Sequence, residues 1–322
     1  MKVLITDNVH PVLFERLQAA GITADLLPNA TYDSILQRID GYEGLVVRSK
    51  VIIDRNFIDR ARTLKCIGRV GAGMETIDVD YAESKGIRCL NSPEGNRDAV
   101  GEHAVGLLLA LFDKIASADA EVRRGLWRRE ANRGMEIKGH TVGIIGYGNM
   151  GAAFAQRLQG FECQIVAYDK YKPAGYAPRY VEEVSLAELQ RRADVVSLHV
   201  PLTEETHYML NNAFIGQMYN PFYLINTSRG AVVRTADLVA EIEQGKVLGA
   251  ALDVIEYEDM SKDGLDLDTL PYDFRYLLQS PRTVLSPHVA GWTVESKYKL
   301  AAVLADKIID SLKANYRFSP SF

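Results

Sequence analysis

The sequence predicts an α/β protein with two domains, each built on a doubly wound parallel sheet. Short β-rich runs alternate with helical patterns in residues 1–90, and the same alternation resumes at Thr141. A chain of 322 residues exceeds the length at which a single hydrophobic core usually stops growing. Two cores, one for each series of alternating elements, are therefore expected.

The first series contains strands separated by helical patterns. The strands are predicted at 3–6, 44–47, 66–70 and 88–90, and the helices at 12–20 and near 55–62. Parallel strands need crossover connections, which are usually helices, so this alternation favours parallel βαβ units. A helix at about 98–113 follows. It is apolar on nearly all sides and is expected to lie buried between layers.

The second series is long enough to form a doubly wound sheet by itself. Its strands are predicted at 142–145, 164–168, 195–199, 222–226 and 249–254, and its helices near 150–158 and 186–191. A final helix at about 293–314 is most simply placed against the N-terminal domain. That placement makes the first domain discontinuous, with residues 1–95 and 292–322 flanking a second domain of residues 96–291.

Composition and charge narrow the classes of function. The net charge of −5 argues against nucleic-acid binding, and the arginine cluster around Trp127 is interpreted as a helix end or an oligomer contact. No run of about 20 apolar residues occurs, so no membrane span is expected. The three cysteines are widely spaced, which fits a reducing cytoplasm better than a disulfide framework. The six histidines show no metal-ligand spacing, so no metal site is expected.

A glycine-rich turn carries the first functional signal. Gly146, Gly148 and Gly151 form G-x-G-x-x-G directly after a predicted strand and at the start of a predicted helix. Glycines permit a tight turn and close backbone approach, and the helix N-terminus presents unpaired N–H groups to an anion. Strand, glycines and helix together predict a site for the pyrophosphate of a dinucleotide.

Asp169 indicates which dinucleotide is expected. It directly follows the next predicted strand, where a carboxylate can accept hydrogen bonds from the adenosine ribose and repel a 2′-phosphate. This arrangement favours NAD over NADP. Lys170 and Lys172 act in the opposite direction, because cations near the ribose can accommodate the phosphate.

The chain resembles the D-isomer-specific 2-hydroxyacid dehydrogenases in segments that follow one another along nearly its whole length. They are GRVGAGMETIDVDYAESKGI (68–87), NSP (91–93), GEH (101–103), the glycine turn, HVPLTEETHYML (199–210), INTSRGAVV (225–233), LDVIEYE (252–258) and SPHVAGWT (286–293). Within the family, the likeness is closest to the 3-phosphoglycerate dehydrogenases.

This resemblance implies a Rossmann-type NAD domain inserted in a flavodoxin-like substrate domain, with NAD bound in the cleft between the two. It implies a homodimer formed through the nucleotide domain, with residues 121–133 as an arm. It also implies a short form without a C-terminal regulatory domain.

Three side chains in these segments are predicted to carry the chemistry. Arg229 suits the substrate carboxylate and the developing oxygen charge, because a guanidinium is always charged and binds carboxylates in bidentate geometry. His288 suits proton transfer because imidazole titrates near neutral pH. Glu258 is expected to bond the other ring nitrogen and keep the imidazole protonated. The family usually has proline after this glutamate, whereas this chain has Asp259, which predicts a looser loop at 259–271.

The resemblance further assigns substrate and cofactor contacts. Backbone N–H groups of a first glycine loop are expected to face the substrate carboxylate, and two arginines and a serine match positions that face the phosphate in 3-phosphoglycerate dehydrogenases. The substrate contacts are Arg48, Ser49, Arg69, Val70, Gly71, Ala72 and Gly73. The additional cofactor contacts are Tyr147, Asn149, Met150, His199, Val200, Pro201, Thr206, Thr227, Ser228, Asp253 and Gly291, with Asp253 near the nicotinamide amide. His103 is expected to be a satisfied core histidine.

Three functions remain open at this point. The main expectation is oxidation of 3-phospho-D-glycerate, or a related D-2-hydroxy acid, with NAD. The alternative enzyme is a glyoxylate or hydroxypyruvate reductase, which acts on small unphosphorylated 2-oxo acids. The third function is that of an NAD-sensing binding protein, because C-terminal-binding corepressors are similar to this family and retain the three side chains.

Overall fold

The computed structural model describes residues 1–258 and 270–317. The chain divides into two compact units: unit 1 comprises Met1–Arg97 and Trp292–Phe322, and unit 2 comprises Asp98–Gly291. Each unit is an α/β structure whose described strands pair in parallel, which confirms the predicted fold class. The loop predicted to be loose lies outside the described residues, except for its last two positions.

Unit 1 is built on a five-stranded sheet in the order β2-β1-β3-β4-β5, which is the flavodoxin-like order of doubly wound sheets. Its strands are β1 (Lys2–Ile5), β2 (Thr23–Leu26), β3 (Gly44–Val47), β4 (Cys66–Arg69) and β5 (Arg88–Asn91). The connecting helices are α1 (Val12–Ala19), α2 (Tyr32–Arg38), α3 (Arg55–Arg60) and α4 (Val79–Ser84).

Side chains at the helix starts fix the loops after β3 and β4. Asp54 accepts a hydrogen bond from Phe57 N at 2.8 Å and begins α3, and Asp78 accepts one from Tyr81 N at 3.2 Å and begins α4. These caps determine where the loops that contain the predicted substrate contacts end.

The C-terminal helix α12 (Val294–Arg317) belongs to unit 1, where it packs on α1 and β4. Gly68 allows this approach, because Leu304 and Ile308 come within 3.1 Å of the position that a Cβ would occupy there. Buried apolar residues of α12, α1 and the sheet form one core. The Lys307 ammonium donates to Glu94 at 2.8 Å at the edge of this contact.

Unit 2 is built on a seven-stranded sheet in the order β12-β11-β10-β9-β6-β7-β8. Its strands are β6 (Thr141–Ile145), β7 (Gln164–Tyr168), β8 (Glu182–Glu183), β9 (Val195–Leu198), β10 (Phe222–Asn226), β11 (Val247–Leu252) and β12 (Thr283–Leu285). Its helices are α5 (Arg97–Phe112), α6 (Ile115–Arg123), α7 (Asn149–Leu158), α8 (Leu186–Arg192), α9 (Asn212–Gln217), α10 (Thr235–Glu243) and α11 (Tyr272–Gln279). The strand order reverses between β6 and β9, and ligands bind such sheets at the carboxyl ends of the strands beside the reversal.

The strands that the sequence analysis did not predict are short and lie at sheet edges. β2, β8 and β12 are edge strands of two to four residues, too short to give a clear alternating pattern. β11 ends at Leu252, two residues before its predicted end at 254. Asp253 therefore lies in the loop after the strand.

Candidate active site

The predicted cofactor and catalytic residues follow the carboxyl ends of the parallel strands in unit 2. The glycine turn follows β6 and Asp169 follows β7, while residues 199–201 and Thr206 follow β9 and residues 227–229 follow β10. Asp253 follows β11, and His288 follows β12. Because the strands run parallel, their carboxyl ends meet at one edge of the sheet.

The three glycines of the turn have different roles. Gly146 has φ +88°, and a Cβ there would lie 2.6 Å from the carbonyl oxygen of His199. A Cβ on Gly151 would lie 2.2 Å from the carbonyl oxygen of Gly146. A Cβ on Gly148 would have no described atom within 4 Å, although this residue is the N-cap of α7. The protein's own packing thus requires glycine at two positions, and at the third glycine leaves open space above a helix N-terminus.

The carboxylate of Asp169 is held against this turn. Its Oδ2 accepts a hydrogen bond from Tyr147 N at 2.8 Å, and its Oδ1 accepts one from Tyr171 N at 3.0 Å. Tyr147 contributes its backbone to the turn, since its ring is buried against Tyr176 with 5.4 Å between centroids. Asn149 is exposed and Met150 is half-buried at the start of α7.

The loop after β9 is closed by its own side chains. Thr206 Oγ1 donates to Pro201 O at 2.6 Å and accepts from Thr203 N at 2.8 Å. His199 packs against Phe154 and contacts Ser197 Oγ through Nε2 at 2.8 Å. Burial lowers the pKa of His199 to about 3, so this imidazole is neutral. Val200 beside it is half-buried.

Arg229 stands on a turn that Asn226 fixes. The fully buried Asn226 donates from Nδ2 to Arg229 O at 3.0 Å and accepts at Oδ1 from Ser228 N at 3.0 Å and Ser228 Oγ at 2.7 Å. Gly230 follows, and a Cβ there would lie 2.0 Å from Ile255 O. The backbone before and after Arg229 is therefore constrained.

His288 and Glu258 form a pair, with His288 Nδ1 3.0 Å from Glu258 Oε2. The hydrogen bond that His288 donates to the Glu258 carboxylate raises the pKa of His288, and this outweighs the opposite effects of burial and of the Arg229 charge. His288 has φ +54°, a left-handed backbone conformation that residues other than glycine seldom adopt. Such strain persists only where surrounding contacts impose it.

Asp253 supplies those contacts from a carboxylate that is 1% exposed. Its backbone carbonyl accepts from His288 N at 2.8 Å, and its side chain accepts from Val289 N and Ala290 N, each at 2.9 Å. Ser286 Oγ also donates to Asp253 Oδ1, at 2.6 Å. Through these contacts with the described residues, Asp253 holds the loop that contains His288.

The predicted substrate contacts lie in unit 1, in the loops after β3 and β4. The Arg48 guanidinium lies over the ring of Trp292, 5.5 Å from its centroid. Arg69 Nη1 lies 2.3 Å from the position of a Cβ on Gly71, so glycine there leaves room for the guanidinium. Asn91 Nδ2 donates to Ala72 O at 2.7 Å and fixes this loop. The remaining predicted contacts are exposed or half-buried: Ser49, Val70 and Gly73.

Comparisons with known proteins identify the family. The sequence model described as D-isomer specific 2-hydroxyacid dehydrogenase, NAD binding domain, matches residues 105–290. This chain belongs to that family. A D-3-phosphoglycerate dehydrogenase of Archaeoglobus fulgidus is 32% identical over 314 residues, which are 97% of this chain and 58% of that protein. The chain thus spans little more than half the length of this relative.

Two further relatives of this 2-hydroxyacid dehydrogenase family match over their whole length or most of it. A hydroxypyruvate reductase of Thermotoga maritima is 36% identical over 280 residues, or 87% of this chain and 88% of that protein. The solved structure of a D-lactate dehydrogenase from Aquifex aeolicus, complexed with NAD and lactic acid, has a TM-score of 0.80 and 25% identity. It covers 99% of this chain and 100% of that one.

The residues of unit 2 fit NAD, the cofactor of this dehydrogenase family. The space above Gly148 lies at the N-terminus of α7, where backbone N–H groups can bind a pyrophosphate. Among the described residues, the buried atoms Thr227 Oγ1 and His199 Nδ1 have no hydrogen-bonding partner. Buried polar atoms are normally paired, so these two are suited to a polar ligand at the strand ends. Ser228, which follows Thr227 in the chain, is also buried, and Gly291 ends unit 2.

Several residues that shape this site escaped the sequence analysis. Asn226 and Gly230 stand within a segment that carried the family resemblance, yet their roles depend on contacts with residues that the sequence pattern does not reveal. Ser286 bonds both to Asp253 and, at 2.9 Å, to His103 Nε2. His103 is half-buried and bonded in this way.

Neither a membrane-spanning helix nor a metal-binding cluster occurs in the part of the chain that the structure describes. None of the described helices combines the length and the apolar character that a bilayer crossing requires. Within residues 1–258 and 270–317, no group of three or more histidine, cysteine or acidic residues could hold a metal ion.

Proposed function

We propose that this chain is an NAD-dependent D-2-hydroxyacid dehydrogenase, which moves a hydride between NAD(H) and a D-2-hydroxy acid or its 2-oxo acid. The observation that carries the proposal is the 3.0 Å contact between His288 Nδ1 and Glu258 Oε2. A histidine whose Nδ1 is bonded to a carboxylate exchanges its proton with substrate through Nε2. The side chain of His288 is 51% exposed, so its ring is accessible to a small acid.

The side chains of unit 2 would divide the chemistry between them. NAD, when bound, supplies the hydride acceptor or donor. In the reductive direction, the imidazolium of His288 gives its Nε2 proton to the carbonyl oxygen, and Glu258 stabilises the charged ring beforehand. Arg229 binds the substrate carboxylate and stabilises the charge that develops on the oxygen. In the oxidative direction, neutral His288 takes the hydroxyl proton.

Turnover with a panel of 2-oxo acids tests this proposal. The expected result is NADH oxidation by the parent protein and a loss on the order of 10²- to 10⁴-fold in kcat for His288→Ala, with NAD binding preserved. His10→Asn is a matched control, because His10 lies in unit 1 and accepts from Val12 N through Nδ1, which an amide oxygen can replace. Equal turnover by parent and His288→Ala would refute the role.

We infer 3-phospho-D-glycerate as the first candidate substrate. Arg48 directly follows β3 and Arg69 ends the neighbouring strand β4, so the two arginines lie at the same edge of the unit 1 sheet. A phosphate is a preferred ligand of arginine. The name of the Archaeoglobus relative supports the same substrate.

A small unphosphorylated 2-oxo acid is the second candidate. The Arg48 guanidinium lies 5.5 Å from the ring centroid of Trp292, a contact within unit 1 that engages one of the two cations assigned to a phosphate. The hydroxypyruvate reductase relative also matches over a larger share of its own length. Kinetics of Arg48→Ala and Arg69→Ala separate the candidates. A KM for 3-phosphoglycerate that rises at least tenfold supports the phosphate, and an unchanged KM supports hydroxypyruvate or glyoxylate.

An NAD-sensing role without catalysis is the third candidate. The three side chains alone do not distinguish it, because sensors related to this family retain them. Rapid turnover of any acid in the panel excludes it. NAD binding with negligible turnover of every acid would favour it.

We also infer that the chain forms a homodimer through unit 2. Helix α6 has no buried residue, and apolar side chains on it and just after it are largely exposed: Ile115, Val122 and Trp127. Several large apolar side chains exposed along one short segment are typical of a protein contact. Light scattering should give twice the chain mass, and Trp127→Glu should shift it to the monomer mass. A monomeric parent protein would refute this inference.

A further inference from the structure

Two lysines follow the carboxylate that faces the predicted ribose site. Lys170 directly follows Asp169 and Lys172 lies two residues further on, and free ammonium groups there would attract the 2′-phosphate of NADP. Sequence alone therefore leaves the choice between NAD and NADP to opposing charges. Their partners in the structure decide how much of that positive charge a phosphate would meet.

Lys172 is engaged by the glycine turn itself. Its ammonium donates to Tyr147 O at 2.5 Å and lies 5.7 Å from the ring centroid of Tyr147 and 5.8 Å from that of Tyr176. A carbonyl and two aromatic faces thus solvate its charge. This lysine supports the backbone of the turn.

Lys170 is engaged by a residue from a different part of the chain. Glu205, in the loop after β9, accepts from Lys170 Nζ through Oε1 and from the Tyr171 hydroxyl through Oε2. Both partners of the ion pair are about half exposed. The hydrogen bond to Glu205 raises the pKa of Lys170, and those from Lys170 and Tyr171 lower the pKa of Glu205, so both groups stay charged.

We propose that Glu205 is a cofactor-specificity residue, which masks Lys170 and thereby excludes the 2′-phosphate of NADP. The contacts of Glu205 bring a second carboxylate to the residues that directly follow Asp169, and they neutralise one ammonium near the proposed ribose site. Glu205 acts from the loop after β9 on residues that follow β7, so the preference does not depend on Asp169 alone. The inference rests on the proposed position of Asp169 at the adenosine ribose.

Binding titrations of NAD and NADP to the whole chain, without an acid substrate, test the mask. Glu205→Gln removes the charge and keeps an oxygen for Tyr171, so the loop should retain its shape. NADP affinity should rise about three- to tenfold, the range expected when a dianion gains one exposed cation, while NAD affinity stays within about twofold. The gain should shrink at high ionic strength.

Two further variants make the result decisive. Glu204→Gln changes the neighbouring exposed glutamate and should match the parent, because no described contact joins it to Lys170. Lys170→Met combined with Glu205→Gln should lose the gain, since the unmasked cation is then absent. The proposal is overturned if Glu205→Gln leaves NADP affinity unchanged, if Glu204→Gln gives the same gain, or if the gain persists without Lys170.

The position of Asp169 is tested separately by Asp169→Asn. If Asp169 lies at the ribose, this variant changes the ratio of NAD to NADP affinity whatever happens at Glu205. An unchanged ratio would refute the placement itself, and a changed ratio with no effect at Glu205 would refute only the mask.

Discussion

Alanine substitutions at two glycines of the same turn should affect different properties of the protein. Gly151→Ala places a Cβ 2.2 Å from Gly146 O, more than an ångström inside ordinary contact. Gly148→Ala places a Cβ where no described atom lies within 4 Å, at a backbone conformation of φ −80° and ψ −155° that alanine can adopt. The first should damage folding, and the second should damage cofactor binding.

The magnitudes follow from these distances. The clash at Gly151 is with backbone, which cannot swing away, so overpacking should cost about 1–3 kcal/mol. For a domain the size of unit 2, this corresponds to a fall of roughly 2–12 °C in Tm. At Gly148 the change in stability should stay within about 0.5 kcal/mol. If the pyrophosphate sits against this backbone, the added methyl should meet a similar overpacking cost on binding, and the Kd for NAD should rise by roughly 5- to 150-fold.

Thermal unfolding without NAD and titration with NAD measure the two effects independently. Gly148→Ala should keep its Tm and lose affinity, while Gly151→Ala should show the lower Tm. A Gly148→Ala protein that binds NAD as tightly as the parent would refute the assignment of the open space to the cofactor. A Gly151→Ala protein of unchanged Tm would refute the packing argument.

Other predictions concern the catalytic side chains. Arg229→Lys keeps the charge but loses the planar fork, so kcat/KM should fall by about 10²- to 10³-fold; a fall of less than about fivefold would contradict bidentate binding. Ser286→Ala removes one donor to Asp253 and should lower kcat by roughly ten- to a hundredfold through misplacement of His288, with the Kd for NAD unchanged. Glu258→Gln should lower the pKa of His288, because the charge that raises it is removed. Reduction needs the protonated ring, so in a pH profile of kcat/KM the alkaline decline should move to lower pH, and an unmoved decline would contradict the pairing.

The fold was predictable because its signals are local. Buried parallel strands such as β6 and β9 read as continuous apolar runs, and the G-x-G-x-x-G turn ties a strand to a helix within a few residues. Edge strands and short helices such as α9 carry too few residues for a period to emerge. They form because the rest of the sheet presents a surface on which they pack.

For the candidate site, the sequence indicated residue types but few of the contacts that hold them. The pairing of Glu258 with His288 was expected from the family resemblance, since the two are far apart in sequence. The roles of Asn226 and Glu205 depend on which backbone or side-chain atoms meet them after folding. The spacing of residues in the sequence does not specify which contacts these side chains form. The roles of polar side chains that shape loops can consequently be identified only from the folded structure.

Asp253 and Glu258 act on the same histidine through different parts of it. Burial alone would raise the pKa of Asp253, but hydrogen bonds from His103, Ser286, Ala290 N and Val289 N outweigh it and hold that pKa below its ordinary value. A lowered pKa in the folded state gives stability that is present above the unfolded value near 3.8 and is lost only as pH falls through the folded one.

The stability that the His288 contact with Glu258 contributes depends on pH in the opposite direction from that of Asp253. The folded pKa of His288 is raised above 6.5, so the contribution of this pair to stability is complete below that value and is lost as pH rises through the raised pKa. The pKa of Asp253 is lowered and that of His288 is raised, so the carboxylate that fixes the backbone of His288 stays ionised over the pH range in which the ring changes its charge. Because the carboxylate of Asp253 and the ring of His288 titrate in separate pH ranges, the imidazole can gain and lose a proton without releasing the strained loop that positions it.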